Sequence, residues 1–339
     1  MIRWAGRVGP LALILSMILV AHGGNVSSAE SKGYVIRFAM ATTQEEVTSQ
    51  SQIGFKKEVE SLSHGQVTVE LFFGERLGST QAQFDQVKDG TLQMAQGVTD
   101  WLAKYFAPIQ VFSMPMMFPD YAGAHKAVDG PVAKEVGDAL LKRAGFHVLN
   151  WENIGGKAYF NRKHPINSLQ DFKGLKMRAI PSPIAVATAQ AFGVEPVTVD
   201  YKEWYIAIQQ GTVDGGDAPL TSIYSTKLYE AAPYVSLTNH VIGLSPTVIN
   251  EAFFSSLPKQ LQTIMLNAAK NAENSEWSAL GKHEAAITDE MVKRGTKFNS
   301  LSSAEREELR AAAKPVWDQF KQKLGPDAAR WIDQLSTNR

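Results

Sequence analysis

Cysteine is absent from this sequence of 339 residues. Its absence excludes disulfides, thiolate nucleophiles and metal sites built on cysteine. A surplus of charge of either sign is also missing, because 34 basic residues balance 34 acidic ones. This balance means that the chain has no excess of positive charge to attract nucleic acid or an anionic membrane, so we expect neither as a partner.

Common catalytic signatures are missing as well. The sequence has no G-x-S-x-G nucleophile elbow, no P-loop and no G-x-G-x-x-G after a predicted strand. His283-Glu284 lacks the second histidine of a helical zinc motif, and the histidines beyond the N-terminal region are scattered. We therefore expect no catalytic residues, no metal and no cofactor. These absences favour binding over catalysis.

Beyond the N-terminus, no stretch is apolar enough to cross a bilayer. The N-terminus itself has Arg3 and Arg7, an apolar run at 11–21 and small residues ending at Ala29. This pattern predicts a signal peptide at 1–29, cleaved near Ala29. The alternative is a short membrane anchor, but the apolar run is too short to span comfortably. The mature protein is expected to be soluble and exported.

The remaining chain reads as two α/β units followed by helices. Residues 34–98 predict strand–helix–strand–helix–strand, which is typical of a parallel sheet with right-handed crossovers. The stretch 174–229 repeats this pattern, ending in a Gly-Gly-Asp turn, and a long helix is predicted over 259–294. The sequence thus predicts an α/β protein of two lobes that face each other across a cleft.

One cation stands out in the second unit. Arg178 lies in a predicted buried strand at 175–180, with no acidic residue near it in sequence. A buried guanidinium is costly without an anionic partner. It is either part of a structural ion pair or the anchor for an anionic ligand, and the residues alone leave both interpretations open. The predicted helix start at Ser182-Pro183 adds N–H donors, and Lys157 offers a second cation.

Aromatic residues accompany these charges. The segment 101–119 is rich in aromatics, Met and Pro, a composition more often found in a core than in a site. It follows a strand end, however, where ligand crevices form in α/β proteins. The aromatic side chains that we expect to pack on a ligand are Trp101, Tyr201, Trp204 and Tyr224.

The stretch LKMRAIPSP, followed by FGVEPV, YKEWYIAIQQGTVDGGDAPL, SIYSTKLYE and LTNH, resembles a known family. It is similar to the extracytoplasmic solute receptors of tripartite ATP-independent periplasmic (TRAP) transporters, of the dicarboxylate and sialic acid type. The resemblance extends from about residue 35 to beyond 320. It implies a two-lobed periplasmic binding protein (type II-like) with a hinge and a long helix across both lobes, which 259–294 fits.

The resemblance also implies roles for individual residues. The family arginine that holds the ligand carboxylate falls on Arg178, and the aromatic before the second helix falls on Tyr201. The opposite wall of the site would be formed by Val98, Thr99 and Trp101.

Two departures from the family pattern concern specificity. Lys157 stands where many members have a second arginine. VDGGDAPL replaces VDGQENPL, so Asp217 takes the acidic position and Ala218 takes the place of an asparagine. Losing that amide predicts a smaller or more apolar organic acid than a sugar acid or sialic acid.

The implied function is a periplasmic receptor that delivers an organic acid to the membrane subunits of a TRAP transporter. We expect a monomer with lobe I at 30–149 plus about 242–283, and lobe II at 150–241 plus about 284–339. The alternatives are an exported two-lobed enzyme acting on an organic acid and a sensory receptor.

Overall fold

The computed structural model describes residues 33–337, so the predicted signal peptide at 1–29 lies outside the described residues. Within this range the strands are β1 (Tyr34–Met40), β2 (Val67–Phe72), β3 (Met94–Gln96), β4 (Phe146–Asn161), β5 (Lys176–Ala179), β6 (Glu195–Thr198), β7 (Gly215–Pro219), β8 (Tyr234–Leu237), β9 (Ile242–Asn250) and β10 (Lys297–Ser300).

The α-helices are α1 (Val47–Leu62), α2 (Thr80–Asp89), α3 (Thr99–Leu102), α4 (Tyr121–Val128), α5 (Pro131–Ala144), α6 (Pro183–Ala191), α7 (Trp204–Gln209), α8 (Leu220–Ser225), α9 (Leu228–Ala231), α10 (Glu251–Ser256), α11 (Lys259–Lys293), α12 (Ser303–Leu324) and α13 (Pro326–Thr337). Short 3-10 helices occur at Ala107–Ser113, Leu169–Phe172 and Tyr201–Glu203. In the described part of the chain, no helix combines the length and the apolar character needed to cross a membrane.

The strands follow the path β2-β1-β3-β9-β4-β7-β5-β6, with β8 pairing with β4 and β10. β1 runs parallel to β2 and β3, and β5 runs parallel to β6 and β7, as both predicted α/β units require. β4 connects the two halves. Its first part pairs with β9, and its last part pairs with β7 and β8.

Two apolar cores meet at the long helix α11. Its first half contributes Leu261 and Met265 to the core beneath β1, which contains Phe38 and Phe55. Its C-terminal end contributes Met291 to the core around β7 and α7. The helix predicted over 259–294 therefore packs against both halves, as expected.

The Gly-Gly-Asp segment corrects the sequence analysis. It was predicted to be a turn, but Gly215–Pro219 forms strand β7 between β4 and β5. The glycines are needed for close packing, not for a reversal of the chain. A methyl group at Gly215 would overlap the carbonyl oxygen of Phe160, and one at Gly216 would overlap the ring of Trp204.

β4 is the longest strand of the described residues, although it contains two adjacent glycines. It continues through Gly155-Gly156 to Asn161 with a register shift between Asn153 and Gly156. Glycine normally weakens a strand. Here the backbone N–H of Gly156 donates to the hydroxyl of Tyr121 at 2.8 Å, which replaces a bond of the strand ladder.

Candidate functional site

A cavity of about 90 Å³ lies where the two halves of the molecule meet. One wall is formed by residues at the carboxyl ends of β1 and β3, and the other by residues of β4, β5 and β7. Carboxyl ends of parallel strands are the usual place for ligand crevices in α/β proteins. The residues that line the cavity include Thr42, Thr80, Gln96, Val98, Trp101, Ile154, Lys157, Arg178, Ile180, Tyr201, Trp204, Asp217, Ala218 and Ser222.

Arg178 is brought to this cavity by β5 and is only 4% exposed. Its Nε donates to the carbonyl oxygen of Val199 at 3.0 Å, and its guanidinium carbon lies 4.6 Å from the ring centre of Trp204. No carboxylate oxygen of the described residues lies within 4.0 Å of it. Burial lowers the pKa of Arg178, opposed at longer range chiefly by Asp217. A buried cation that lacks an ion-pair partner is suited to receiving an anion.

Lys157 differs from Arg178 because it already has a partner. Its Nζ lies 3.0 Å from Oδ2 of Asp217, and Nε2 of His240 lies 3.5 Å from the same oxygen. Burial alone would raise the pKa of the Asp217 carboxyl, but Lys157 and His240 hold it well below its usual range. The lysine therefore forms a buried ion pair at the cavity wall and is not a second unpaired cation.

His240, one of the scattered histidines, is buried and hydrogen-bonded. Its Nδ1 lies 2.9 Å from Oγ1 of Thr238, and its ring stacks on Tyr159 at 4.5 Å between ring centres. Burial lowers the pKa of His240, against the opposing effect of Asp217. Its contact with Asp217 was missed because it depends on β7 and the segment before β9 meeting in the folded chain, and spacing along the chain does not encode this.

Eight predicted site residues converge on the cavity, and three do not. The converging residues are Val98, Trp101, Lys157, Arg178, Tyr201, Trp204, Asp217 and Ala218. The Oγ1 of Thr99 instead pairs with Ser113 Oγ at 2.7 Å, and Tyr224 stacks on Tyr229. The third, Ser182, lies beside the cavity rather than in its wall.

Ser182 joins the two halves of the molecule. It precedes the first residue of α6, and its Oγ donates to Oδ1 of Asp100 at 2.6 Å while accepting a bond from Nε2 of Gln110 at 2.8 Å. Because this hydroxyl is used within the protein, the start of α6 is fixed to the first half of the chain. The segment 101–119 otherwise serves the core, through residues such as Phe112 and Met117.

A group of possible metal ligands lies elsewhere. His125, Asp129 and Glu273 have ligand atoms within 4.8 Å of one another. Nζ of Lys270 lies 2.7 Å from Asp129 Oδ1 and also contacts Glu273, so an ammonium group is already paired with both carboxylates. This group is separate from the cavity lining.

The chain matches a known protein family. The model of bacterial extracellular solute-binding proteins, family 7 (DctP), matches residues 38–323. The chain is 28% identical over 322 residues to the 2,3-diketo-L-gulonate-binding periplasmic protein YiaO of Escherichia coli K12, covering 94% of this chain and 97% of that protein.

Solved structures agree with the sequence match. A TRAP periplasmic solute-binding protein from Desulfovibrio desulfuricans, with bound sn-glycerol-3-phosphate, superposes with a TM-score of 0.86 at 26% identity, covering 90% of this chain and 97% of that one. A TRAP protein from Sulfurospirillum deleyianum, with bound succinate, gives 0.83 at 25% identity, covering 90% and 99%. The predicted fold class and the resemblance to TRAP solute receptors are confirmed. The chain belongs to family 7 of the bacterial extracellular solute-binding proteins.

Proposed function

We propose that this protein is a periplasmic receptor that binds a small organic acid at Arg178 and delivers it to the membrane subunits of a TRAP transporter. The observation that carries the proposal is the buried guanidinium, which has no carboxylate partner among the described residues. A ligand carboxylate can accept two parallel N–H bonds from its planar fork. The ligands named for the relatives above are acids or a phosphate ester, and each offers such an anion.

The ligand is compact. The cavity of about 90 Å³ is small beside the roughly 300–1,000 Å³ typical of sites for drug-sized ligands. Much of its wall is apolar, through residues such as Trp101, Ile154 and Ile180. Ala218 contributes a methyl group where many members of the family offer an amide. These features favour a short acid with few polar groups over a sugar acid.

We infer that binding is coupled to closure of two lobes with the boundaries predicted above, moving about β4 and β9. The division is supported by β4, whose early residues pair in the first half and whose late residues pair in the second. Hydrogen bonds reach between the halves around the cavity. Lys202 Nζ donates to the carbonyl oxygen of Glu75 at 2.9 Å, and Ser225 Oγ donates to Glu46 Oε1 at 2.9 Å. Closure excludes water, which strengthens the pairing of Arg178 with its anion.

A thermal-shift screen of organic acids tests the proposal. A ligand that binds only the folded protein raises its melting temperature. We expect one or more short acids to stabilise the wild-type protein but not Arg178→Met. Arg294→Met is the matched control, because Arg294 is exposed and pairs only with surface Glu290 among the described carboxylates. The proposal fails if Arg178→Met responds to the same acid as the wild type does.

A further inference from the structure

The carboxyl group of Glu46 is bonded to both halves of the molecule. Glu46 immediately precedes α1, which packs into the first core through Phe55, but its side chain reaches α8, whose Ile223 belongs to the second core. Ser225 Oγ donates to Glu46 Oε1 at 2.9 Å, and Ser222 Oγ donates to Oε2 at 3.4 Å. These two bonds cross the boundary between the halves.

The third donor to Glu46 is the backbone N–H of Thr43, which lies 3.0 Å from Oε1. Thr43 lines a second cavity, of about 210 Å³, and Tyr201 lines both this cavity and the ligand cavity. The bond between Lys202 Nζ and the carbonyl oxygen of Glu75 crosses the second cavity from one half to the other. The bonds of Glu46 therefore belong to a group of contacts that hold the halves together beside the ligand cavity.

Glu46 is buried without a cation. It is 1% exposed, and no basic nitrogen of the described residues lies within 4.0 Å of its carboxyl group. Burial raises the pKa of Glu46 above its ordinary value of 4.5, its three donors lower it, and neighbouring Glu45 raises it. Tyr201, on the 3-10 helix that faces it, brings no positive charge, and the pKa of Tyr201 is itself raised by burial and by Glu46. A negative charge on Glu46 is therefore costly in this arrangement.

We propose that Glu46 is a positioning residue that latches the closed receptor, and that closure on an acid takes up a proton from solvent at its carboxyl group. Opening of the lobes would take Ser222 and Ser225 away from Glu46 and expose this group to water. The inference rests on the proposed function, since it needs two lobes that close on a ligand. It adds the contact that keeps them closed and a dependence of ligand binding on pH.

The direction of the pH dependence follows from the two states. A group whose pKa is higher in the closed state than in the open state takes up a proton on closing. The contribution of Glu46 to closure is therefore complete below about pH 4.5, its ordinary pKa, and is lost as the pH rises through the raised pKa. The neutral group keeps its bonds, because Oε1 still accepts and a proton on Oε2 can be donated to the hydroxyl of Ser222.

Calorimetric titration of the wild-type protein and of Glu46→Gln, with an acid found in the thermal-shift screen, tests the proton uptake. The glutamine keeps an acceptor for Thr43 and Ser225 but has no charge to bury. Effects of pH on the acid and on other buried groups, such as Glu152, act on both proteins and cancel in the ratio of affinities.

We expect the two proteins to bind the acid within about twofold of each other near pH 4.5. Near pH 8, Glu46→Gln is expected to bind at least about tenfold more tightly, because each unit by which closure raises the pKa changes the affinity tenfold. Glu70→Gln is the matched control, since it removes an exposed carboxylate of β2, and it is expected to follow the wild type.

Stopped-flow measurement of ligand release tests the latch. Glu46→Ala removes both bonds to α8, so it is expected to release the acid at least about tenfold faster than Glu46→Gln at the same pH. Comparing two uncharged variants separates the bonds from the charge. If Glu46→Ala does not fold, adding Ser225→Ala to Glu46→Gln removes the shorter bond from the other side and is expected to speed release about threefold or more.

The outcomes separate this inference from the proposed function. Identical pH profiles for the wild type and Glu46→Gln overturn the inference and leave the acid receptor intact. Equal rates of release from Glu46→Gln and from the variants that lack the bonds to α8 do the same. Failure of every acid to bind the wild-type protein overturns the proposed function and this inference with it.

Discussion

Replacing Arg178 with methionine is expected to remove ligand binding without weakening the unliganded protein. In the wild type, the guanidinium is buried, and residues 33–337 offer it no carboxylate partner. It contacts one carbonyl oxygen and one indole ring. Methionine fills much of the same space without a charge. The substitution removes both the contact that binds an anion and the cost of burying the cation.

The two effects have different sizes. A bidentate carboxylate gains two charge-assisted bonds of about 1.5–3 kcal/mol each, so their loss weakens binding by roughly 10²- to 10⁴-fold. For folding, the variant loses a cation–π contact of about 0.5–2 kcal/mol and one hydrogen bond. It also avoids the free-energy cost of removing a cation from water on folding, which is several kcal/mol. We expect the free energy of unfolding to be unchanged or to rise by up to about 2 kcal/mol.

Urea unfolding of the unliganded proteins, together with calorimetric titration of an acid found in the screen, measures both quantities. A variant that is destabilised by more than about 3 kcal/mol yet binds the acid normally would refute the reasoning. That result would assign Arg178 to the fold and not to the ligand.

Three further predictions concern the buried polar groups and glycines around the cavity. Burial raises the pKa of Glu152 from 4.5 to about 8, so its contribution to stability is complete below its unfolded pKa and is lost as the pH rises through about 8. Urea unfolding between about pH 5 and 8 should show stability falling less steeply with pH in Glu152→Gln, by up to about 1.4 kcal/mol per pH unit, and identical slopes would contradict this. Lys157→Met should cost about 3–5 kcal/mol by removing the ammonium group from buried Asp217 and leaving it only His240, and adding Asp217→Asn should recover much of that loss. If the double variant is no more stable than the single one, the ion pair is not the cause. Gly216→Ala should destabilise by about 2 kcal/mol or more in thermal unfolding, whereas Gly281→Ala, in the open middle of α11, should stabilise by about 0.5–1 kcal/mol; equal effects would refute the packing argument.

The sequence predicted the helices and strands whose formation depends mainly on neighbouring residues in the chain. Apolar periodicity placed α11 within a residue of its observed bounds, and both parallel units follow from alternating strands and helices. Glycine misled at one place. At Gly215 it marks the close approach of neighbouring groups within a strand, and composition alone does not separate that from a turn.

The site was predictable where a charge conflicted with its surroundings. Arg178 stood out because its strand is apolar. The partners of Lys157 did not, because Asp217 and His240 come from β7 and the segment before β9 and meet Lys157 only in the folded chain.

The most direct measurement of the central claim, that Arg178 reads a ligand carboxylate, compares an acid with its own neutral amide. The wild-type protein is titrated calorimetrically with an acid that raises its melting temperature, and then with the primary amide of that acid, which has nearly the same shape. Pairing with a buried cation predicts that the acid binds at least about 100-fold more tightly. Equal affinities would contradict the account, because the cavity would then recognise the shape of the ligand and not its charge.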